Sequence, residues 1–172
     1  MTDALIRTDD PVLQLVLDRQ NIIETVTRVA VHADAHEWEL LRACFTDEVK
    51  VDYTSLTGGE PSRVGADDLI TSWSETLVGF DATQHQVTNF LVTLYGDEAR
   101  CQAYVRAYHY LKDAPGGDSW LVAGTYDYGL VRVDKGWRVE ATKLILTRLE
   151  GNMSLVDAAR AHARAKAAVK EL

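Results

Sequence analysis

Four side chains of this 172-residue chain have the chemistry to transfer a proton together: Asp34, His85, His109 and Tyr53. The aspartate lies on the edge of an apolar helical stripe, and it needs a partner there because an unpaired buried charge is costly. The two histidines lie in later segments with strand character. A carboxylate bonded to one histidine nitrogen fixes the tautomer and leaves the other nitrogen as a general base. We therefore predict a proton acceptor at His85, oriented by Asp34.

Each of these residues also has a structural interpretation. Asp34 can be a partly exposed residue near a helix end, or it can form a buried ion pair with His85 that only closes the fold. His109 can be a core histidine bonded to the backbone or to Tyr53. The aspartate and the two histidines also have the composition of a metal site, but a carboxylate-oriented base explains them without an ion. We expect no metal and no cofactor.

The helix that carries Asp34 is predicted from about Arg19 to Phe45. Its apolar residues recur at helical spacing: Ile22, Ile23, Val26, Val29, Ala30, Ala33 and Leu41. A shorter helix, which begins at Asp10-Pro11 with a capping aspartate and a proline in the first turn, leads into it. The strand Val49–Tyr53 follows, and its strict alternation directs the Tyr53 hydroxyl inward.

Residues 54–65 contain Gly58-Gly59 and Pro61, so we predict a loop. A loop of this length in a small domain is often a functional rim or lid. A second helix is predicted from Ala66, with a buried stripe of Leu69, Ile70, Trp73 and Leu77.

Strands dominate the second half of the chain. One predicted strand places His85, Val87, Asn89 and Leu91 on one face, and the next places Cys101, Ala103, Val105, Ala107 and His109 on an apolar face. A two-residue turn at Gly96-Asp97 would point the two histidines to opposite faces. A three-residue turn that pairs Tyr95 with Ala99 would bring them opposite each other. We predict the second turn because it gives one coherent inner face.

Two further strands, 120–133 and 137–146, precede a terminal alanine-rich helix that a capping box at Ser154 opens. This order predicts an α+β domain, a cone-shaped barrel with helices packed in the concave face of a curved, mostly antiparallel sheet, and an apolar pocket at one end. We assign residues 1–152 to this domain. Residues 153–172 form a C-terminal helical extension, which we expect outside the core or on a neighbouring subunit.

The same periodicities predict the substrate-binding walls of the pocket: Trp73, Phe80, Val105 and Leu130. Tyr126 joins them if the even positions of its strand face inward. Asn89 is also assigned to the substrate site, with a supporting or structural role for its amide as the alternative.

Composition limits the partners and the compartment. A net charge of −8 argues against nucleic acid or an anionic membrane as a partner. No apolar run approaches the ~20 residues that cross a bilayer, and the N-terminus lacks the layout of a signal peptide. Cys44 and Cys101 lie among core-type residues, so we expect two free, buried thiols and a cytoplasmic protein.

Several motifs between residues 19 and 150 resemble the SnoaL-like branch of the nuclear transport factor 2-like superfamily, whose members are cone-shaped α+β barrels. The motifs are Ala33-Asp34-Ala35-His36-Glu37-Trp38, Phe45-Thr46-Asp47-Glu48-Val49, His85-Gln86-Val87-Thr88-Asn89, Tyr104-Val105-Arg106-Ala107-Tyr108-His109 and Gly136-Trp137-Arg138.

Within that branch the chain is most similar to scytalone dehydratase and hexachlorocyclohexane dehydrochlorinase, cofactor-free eliminating enzymes built on an Asp–His pair. The resemblance assigns that pair to Asp34 and His85, the second dehydratase histidine to His109 and the strand tyrosine to Tyr53. The chain departs from the dehydratase pattern at Ala33, where the dehydratase has a tyrosine. Near the position of the dehydrochlorinase arginine in the last strand, it has only Thr142 and Lys143.

The residues and the resemblance together predict a cofactor-independent lyase that acts on a small apolar cyclic molecule. In this hypothesis His85 removes a proton, Asp34 orients it, and Tyr53 with His109 polarises a carbonyl or protonates the departing hydroxyl. An isomerase or a polyketide cyclase uses the same first step. A ligand-binding protein without catalysis and a small subunit of a ring-hydroxylating oxygenase are alternatives from another class.

We also expect a homo-oligomer, a dimer or a trimer. The predicted convex face of the sheet mixes arginine and aromatic residues as subunit interfaces do: Arg100, Gln102, Tyr104, Arg106 and Tyr108.

Overall fold

A computed structural model describes residues 9–134 and 136–170 of the chain. The helices and strands follow one another as α1 (Pro11–Asp34), α2 (Trp38–Ala43), β1 (Phe45–Asp52), α3 (Thr54–Thr57), β2 (Ser62–Gly65), α4 (Ala66–Leu77), β3 (Ala82–Tyr95), β4 (Glu98–Tyr110), β5 (Ser119–Val133), β6 (Gly136–Gly151) and α5 (Leu155–Lys170).

The strands form a curved, open sheet in the order β2-β1-β6-β5-β4-β3. Neighbouring strands pair antiparallel except β1 and β6, which are parallel. Helix α1 packs against β3, β4 and β6 from one side. The predicted α+β fold, with helices against a mostly antiparallel curved sheet, is confirmed.

Helix α1 is longer at its start and shorter at its end than the sequence predicted. Asp10 caps it through Oδ1, which accepts hydrogen bonds from the backbone N–H groups of Val12 and Leu13 at 2.8 and 3.2 Å. The two predicted helices are therefore one helix from Pro11. The helix ends at Asp34 because His36 adopts a left-handed backbone conformation, φ 57°, and the chain changes direction before α2.

The segment predicted as a loop at residues 54–65 contains two short elements, α3 and β2, so the prediction of an irregular loop was wrong there. Gly58 and Gly59 lie between them at positive φ. Strand β2 extends the sheet by pairing with β1, and Tyr53 occupies the position that precedes α3.

The β3–β4 hairpin has the two-residue turn that the sequence analysis rejected, with Tyr95 paired to Glu98. Both histidines nevertheless face inward, because a β-bulge between Thr88 and Leu91 shifts the register by one residue. Asn89 lies in this bulge at φ 59°. As a result, His85 pairs with Ala107 and Thr83 pairs with His109, so the histidines are diagonal neighbours instead of direct partners.

The main core lies between α1 and the sheet and is mostly apolar. Ile22, Val26 and Phe45 are fully buried there. Arg132 clamps the buried Asp18 carboxylate through two hydrogen bonds of 2.8 Å, and the Trp137 indole donates to the same carboxylate at 3.1 Å. This network ties α1 to β5 and β6.

Helix α5 packs on its own chain and builds a second, smaller core. Leu155 and Ala159 are completely buried against Phe80 and Leu111. Gly79 permits this approach, since a Cβ there would lie 1.9 Å from the Ala159 carbonyl oxygen. The expectation that this helix lies outside the core or on a neighbouring subunit is therefore corrected.

Cys44 and Cys101 are free and buried, as expected. Burial raises the pKa of each thiol to about 11, which keeps both protonated and unreactive near neutral pH. None of the described helices is long and apolar enough to span a membrane.

Candidate active site

A cavity of about 670 Å³ opens between the sheet and helices α1, α4 and α5. Its volume falls in the range that holds small organic ligands. Three of the four predicted catalytic residues, His85, His109 and Tyr53, line it. Asp34 forms a hydrogen bond with His85. The structure therefore brings all four predicted residues together at this cavity.

Asp34 contacts His85 through both carboxylate oxygens. Oδ1 lies 2.7 Å from the ring Nδ1, and Oδ2 accepts the His85 backbone N–H at 2.6 Å. The Thr83 hydroxyl donates to Oδ1 at 2.7 Å. These bonds require a proton on Nδ1 of a neutral His85, and they leave Nε2 without a protein partner among the described residues.

Asp34 is the last residue of α1, and a carboxylate is disfavoured there by the negative end of the helix dipole. Burial acts in the same direction and would raise its pKa. The hydrogen bonds and charge of His85, with the hydroxyl of Thr83, outweigh burial and hold the pKa of Asp34 below its ordinary value. The carboxylate is therefore ionised at neutral pH and stabilises an imidazolium at His85.

His109 is a buried neutral histidine beside the Asp34–His85 pair. Its ring centroid lies 5.4 Å from that of His85, edge to face, and Nδ1 lies 3.4 Å from the Trp120 carbonyl oxygen. Burial and the neighbouring His85 lower the pKa of His109 to about 4. At neutral pH His109 is therefore not a charged acid. Because the Trp120 carbonyl oxygen can only accept, the single proton of the neutral ring lies on Nδ1, and Nε2 can accept a hydrogen bond but cannot donate one.

Three tyrosines line the cavity farther along β5 and at the end of β1: Tyr53, Tyr126 and Tyr128. Burial raises the pKa of Tyr126 to about 12, and the Asp34 charge acts in the same direction. Burial also raises the pKa of Tyr53 well above its ordinary value, which a hydrogen bond with Thr142 only partly offsets. All three phenols therefore stay protonated and can donate hydrogen bonds to a ligand oxygen.

Two of the six residues predicted to bind substrate, Trp73 and Tyr126, line the cavity. The other four do not. Phe80 lies behind His109 at a ring-centroid distance of 5.0 Å. Asn89 is exposed in the bulge of β3, because the bulge turns it away from the inner face.

Val105 and Leu130 do face inward, but they lie beneath other side chains. Val105 packs in a buried group with Val122 and Leu144, and Leu130 is fully buried in the main core. The alternation of side chains along a strand identifies the residues on the inner face of a sheet, but it does not tell which of them reach the cavity surface.

Sequence reasoning missed the contribution of α5 and the segment before it to the cavity wall: Met153, Val156, Asp157 and Arg160. The signal was present, since Leu155, Val156 and Ala159 recur at helical spacing and predict an apolar face. It also missed Leu56 of α3, which lines the cavity from the segment predicted as a loop.

The described residues contain no group of three or more His, Cys, Asp or Glu side chains placed to hold a metal ion. The interaction of Asp34 with His85 is instead that of a carboxylate with a hydrogen-bonded imidazole. Such a pair can bind a ligand, accept a proton at Nε2 and stabilise the charge that results.

A model of the SnoaL-like domain matches residues 14–143 of the chain. The Kfla4162 protein of Kribbella flavida is 36% identical, with a TM-score of 0.76 over 85% of this chain and 99% of that chain. A protein of Novosphingobium aromaticivorans, provisionally described as an aromatic ring hydroxylase, is 26% identical, with a TM-score of 0.71 over 82% of this chain and 97% of its own. A search of curated proteins gave no match.

Eliminating enzymes are also among the similar structures. A protein of Novosphingobium aromaticivorans provisionally described as a scytalone dehydratase is 22% identical, with a TM-score of 0.67 over 80% of this chain and 89% of its own. A hexachlorocyclohexane dehydrochlorinase, LinA type 2, is 19% identical, with a TM-score of 0.67 over 81% and 92%. At these identities the likeness shows a common fold alone. The matched domain and the 36% identical structure establish that the chain belongs to the SnoaL-like domain family of the nuclear transport factor 2-like superfamily.

Proposed function

We propose that the protein is a cofactor-independent lyase that eliminates water from a small cyclic substrate, with His85 as the general base. One observation carries the proposal: Asp34 binds both the ring Nδ1 and the backbone N–H of His85 at the wall of a ligand-sized cavity. A base oriented this tightly has its free nitrogen fixed in position and its protonated form stabilised.

The reaction begins when Nε2 of His85 takes a proton from a carbon next to a carbonyl group. The electron pair of that C–H bond forms the new C=C bond as the bond from the adjacent carbon to its hydroxyl breaks. The hydroxyl leaves as water with a proton from the Tyr53 phenol or from the imidazolium of His85. In the first case the proton on His85 then passes to Tyr53 through solvent, so both groups return to their starting forms. The carboxylate of Asp34 stabilises the imidazolium throughout, and the reaction needs no external oxidant or reductant.

The phenol of Tyr53 is the donor we assign to the carbonyl or to the departing hydroxyl. It lines the cavity, and burial keeps it protonated. The pKa of His109, about 4, leaves its ring uncharged near pH 7, so Nε2 accepts a hydrogen bond from the substrate hydroxyl. The two roles predicted for His109, polarising the carbonyl and protonating the departing hydroxyl, both need a donor at Nε2, so we assign to it instead the positioning of the substrate hydroxyl.

The walls favour a substrate with an apolar ring. Trp73 and Leu77 of α4 line the cavity together with Val122 and Leu144 of the sheet, and apolar surfaces of this kind bind apolar groups by excluding water. Free, buried cysteines support a reducing compartment, and we place the protein in the cytoplasm on that basis.

Two alternatives have specific support. An isomerase or polyketide cyclase would use the same base, since proton abstraction next to a carbonyl is also its first step. A protein 26% identical to this chain is provisionally described as an aromatic ring hydroxylase, and on that ground we retain the alternative of a small subunit of a ring-hydroxylating oxygenase. That role predicts co-purification with, or dependence on, a larger iron-carrying chain.

The experiment is to incubate the purified protein alone with a panel of cyclic hydroxyketones in deuterium oxide and to analyse the products by mass spectrometry and NMR. The proposal predicts loss of water and a conjugated ketone with the wild-type protein and no reaction above background with His85→Ala. Deuterium exchange with no loss of water would indicate an isomerase or cyclase. No reaction with any panel member, combined with turnover only in the presence of an iron-carrying chain, would overturn the proposal.

A further inference from the structure

We propose that the α5 end of the cavity binds a carboxylate group of the ligand through the guanidinium of Arg160. This inference rests on the proposed function only in that the ligand occupies the same cavity. Arg160 is the one lysine or arginine among the described residues that line this cavity. All other lining residues are apolar, aromatic, hydroxyl-bearing or histidine, apart from Asp157.

Arg160 is held at one edge of its guanidinium and is free at the other. Its Nε donates to the Thr76 hydroxyl at 3.2 Å, and that hydroxyl donates to the Ser72 carbonyl oxygen at 3.1 Å. Among the described residues, no carboxylate forms an ion pair with Arg160. The terminal nitrogens are therefore available, and a guanidinium binds a carboxylate through two parallel hydrogen bonds.

The helix that carries Arg160 is a fixed wall of the cavity. Leu155 and Ala159 anchor it by complete burial, and His162 Nδ1 lies 2.9 Å from the Gly79 carbonyl oxygen. A binding group on an element held at several points loses less conformational freedom when the ligand arrives. This anchoring positions the helix that carries Arg160, whose own side chain is exposed where it lines the cavity.

Asp157 carries the opposite charge to Arg160, so it provides a second way to test whether the ligand is an anion. It lies one helical turn earlier and also lines the cavity. A bound carboxylate would contact the guanidinium directly, whereas its repulsion by Asp157 acts over a longer distance through water and ions. The attraction therefore prevails, and removal of the two charges should have opposite effects on an anionic ligand.

The ligand class that follows is an apolar ring with a carboxylate at one end. Trp73, Leu77 and Val156 supply apolar surface in the cavity that Arg160 lines, and His85 lines the same cavity. A substrate that places its carboxylate against α5 would direct the opposite end of the ring into the cavity. The cavity would then prefer a cyclic acid over its neutral ester.

The experiment measures the affinity of two fluorescent probes of nearly equal shape, 2-naphthoate and methyl 2-naphthoate, for the full-length protein at neutral pH. Wild-type protein should bind the acid more tightly than the ester, and Arg160→Gln should weaken binding of the acid by about fivefold while the ester is unaffected. Arg160→Lys should retain part of the preference. Asp157→Asn should strengthen acid binding.

Arg164→Gln is the matched control, because Arg164 lies one turn farther along α5 and does not line this cavity. It should leave both affinities unchanged, and circular dichroism should show equal helix content in all variants. Equal wild-type affinity for acid and ester, an equal loss of both in Arg160→Gln, or no saturable binding of either probe would overturn the inference. His85→Ala should retain the acid preference, so failure of the catalytic proposal can be distinguished from failure of this one.

Discussion

Asp34 holds His85 at two points, since one carboxylate oxygen binds the ring Nδ1 at 2.7 Å and the other binds the backbone N–H of the same residue at 2.6 Å. The first bond sets the tautomer and the second fixes the position of the strand beneath the ring. A helix-terminal carboxylate is locally unfavourable, and departures from local rules concentrate at functional sites. The pair therefore fits a catalytic role better than a purely structural one.

Stability should depend on pH through His109. The pKa of its ring is about 4 in the folded protein and about 6.5 in an unfolded chain. Between these values the unfolded chain binds a proton that the folded protein does not. The contribution of His109 to the free energy of unfolding is therefore intact above about pH 6.5 and falls as the pH drops towards 4.

At pH 5 the free energy of unfolding should be about 2 kcal/mol lower than at pH 7 because of His109. Urea unfolding at the two pH values measures it, with His109→Gln as the comparison. The variant should lose about 2 kcal/mol less than the wild type between the two pH values. Equal losses would show that burial of His109 does not disfavour its protonation.

The bulge at Asn89 should tolerate glycine but not a β-branched residue. Asn89 has φ 59° and an exposed side chain, and a left-handed backbone costs residues with a branched Cβ about 1–2 kcal/mol. Asn89→Val should lower the free energy of unfolding by that amount, and Asn89→Gly should change it by less than about 0.5 kcal/mol.

Thr93→Val is the control, since Thr93 is also exposed on β3 but lies in regular strand. Urea unfolding of the three variants measures the change in the free energy of unfolding that each substitution causes. A cost for Asn89→Val no greater than for Thr93→Val would contradict the assigned backbone strain.

Gly79→Ala should detach α5. A Cβ at this position would lie 1.9 Å from the backbone of Ala159, so the helix must move. Hydrogen exchange should become faster in α5 and stay unchanged in β4. Gly65→Ala is the control, because its Cβ would meet only the flexible Asp68 carboxylate at 3.3 Å. Unchanged exchange in α5 of the Gly79→Ala protein would refute the tight packing.

The protein should form a dimer or trimer through the convex sheet face. Tyr104 and Tyr108 on β4 are 61% and 42% exposed, which is high for tyrosines of a central strand. Sedimentation at micromolar concentration should show an oligomer that Tyr104→Glu dissociates. Val31→Glu, at an exposed position of α1, should not dissociate it. A wild-type monomer would contradict the prediction.

Periodicity correctly predicted which residues are buried along a single helix or strand. The inner face of β4 and the stripe of α1 match the sequence pattern because each follows the geometry of a single strand or helix. The inward orientation of both histidines was also predicted, but for the wrong reason. The two-residue turn and the bulge at Asn89 offset each other, and a bulge leaves no periodic signal.

Features set by contacts between distant segments could not be read from the sequence. The left-handed turn at His36 ends α1 where periodicity alone continues it. The depth of Val105 and Leu130 beneath the cavity depends on which neighbours cover them. The position of Arg160 depends on how α5 docks against Gly79, which only tertiary packing decides.

The most direct test of the account is a double-mutant cycle on Asp34 and His85, measured as turnover of a cyclic hydroxyketone that the wild-type protein dehydrates. His85→Ala should lower kcat by about 10²–10⁴-fold, because it removes the base. Asp34→Asn should also be severe, with KM nearly unchanged, since it preserves shape but imposes the wrong tautomer. The double variant should be little worse than His85→Ala, because residues that act as one unit are non-additive. A loss equal to the product of the two single losses would show that the residues act separately and would contradict the mechanism.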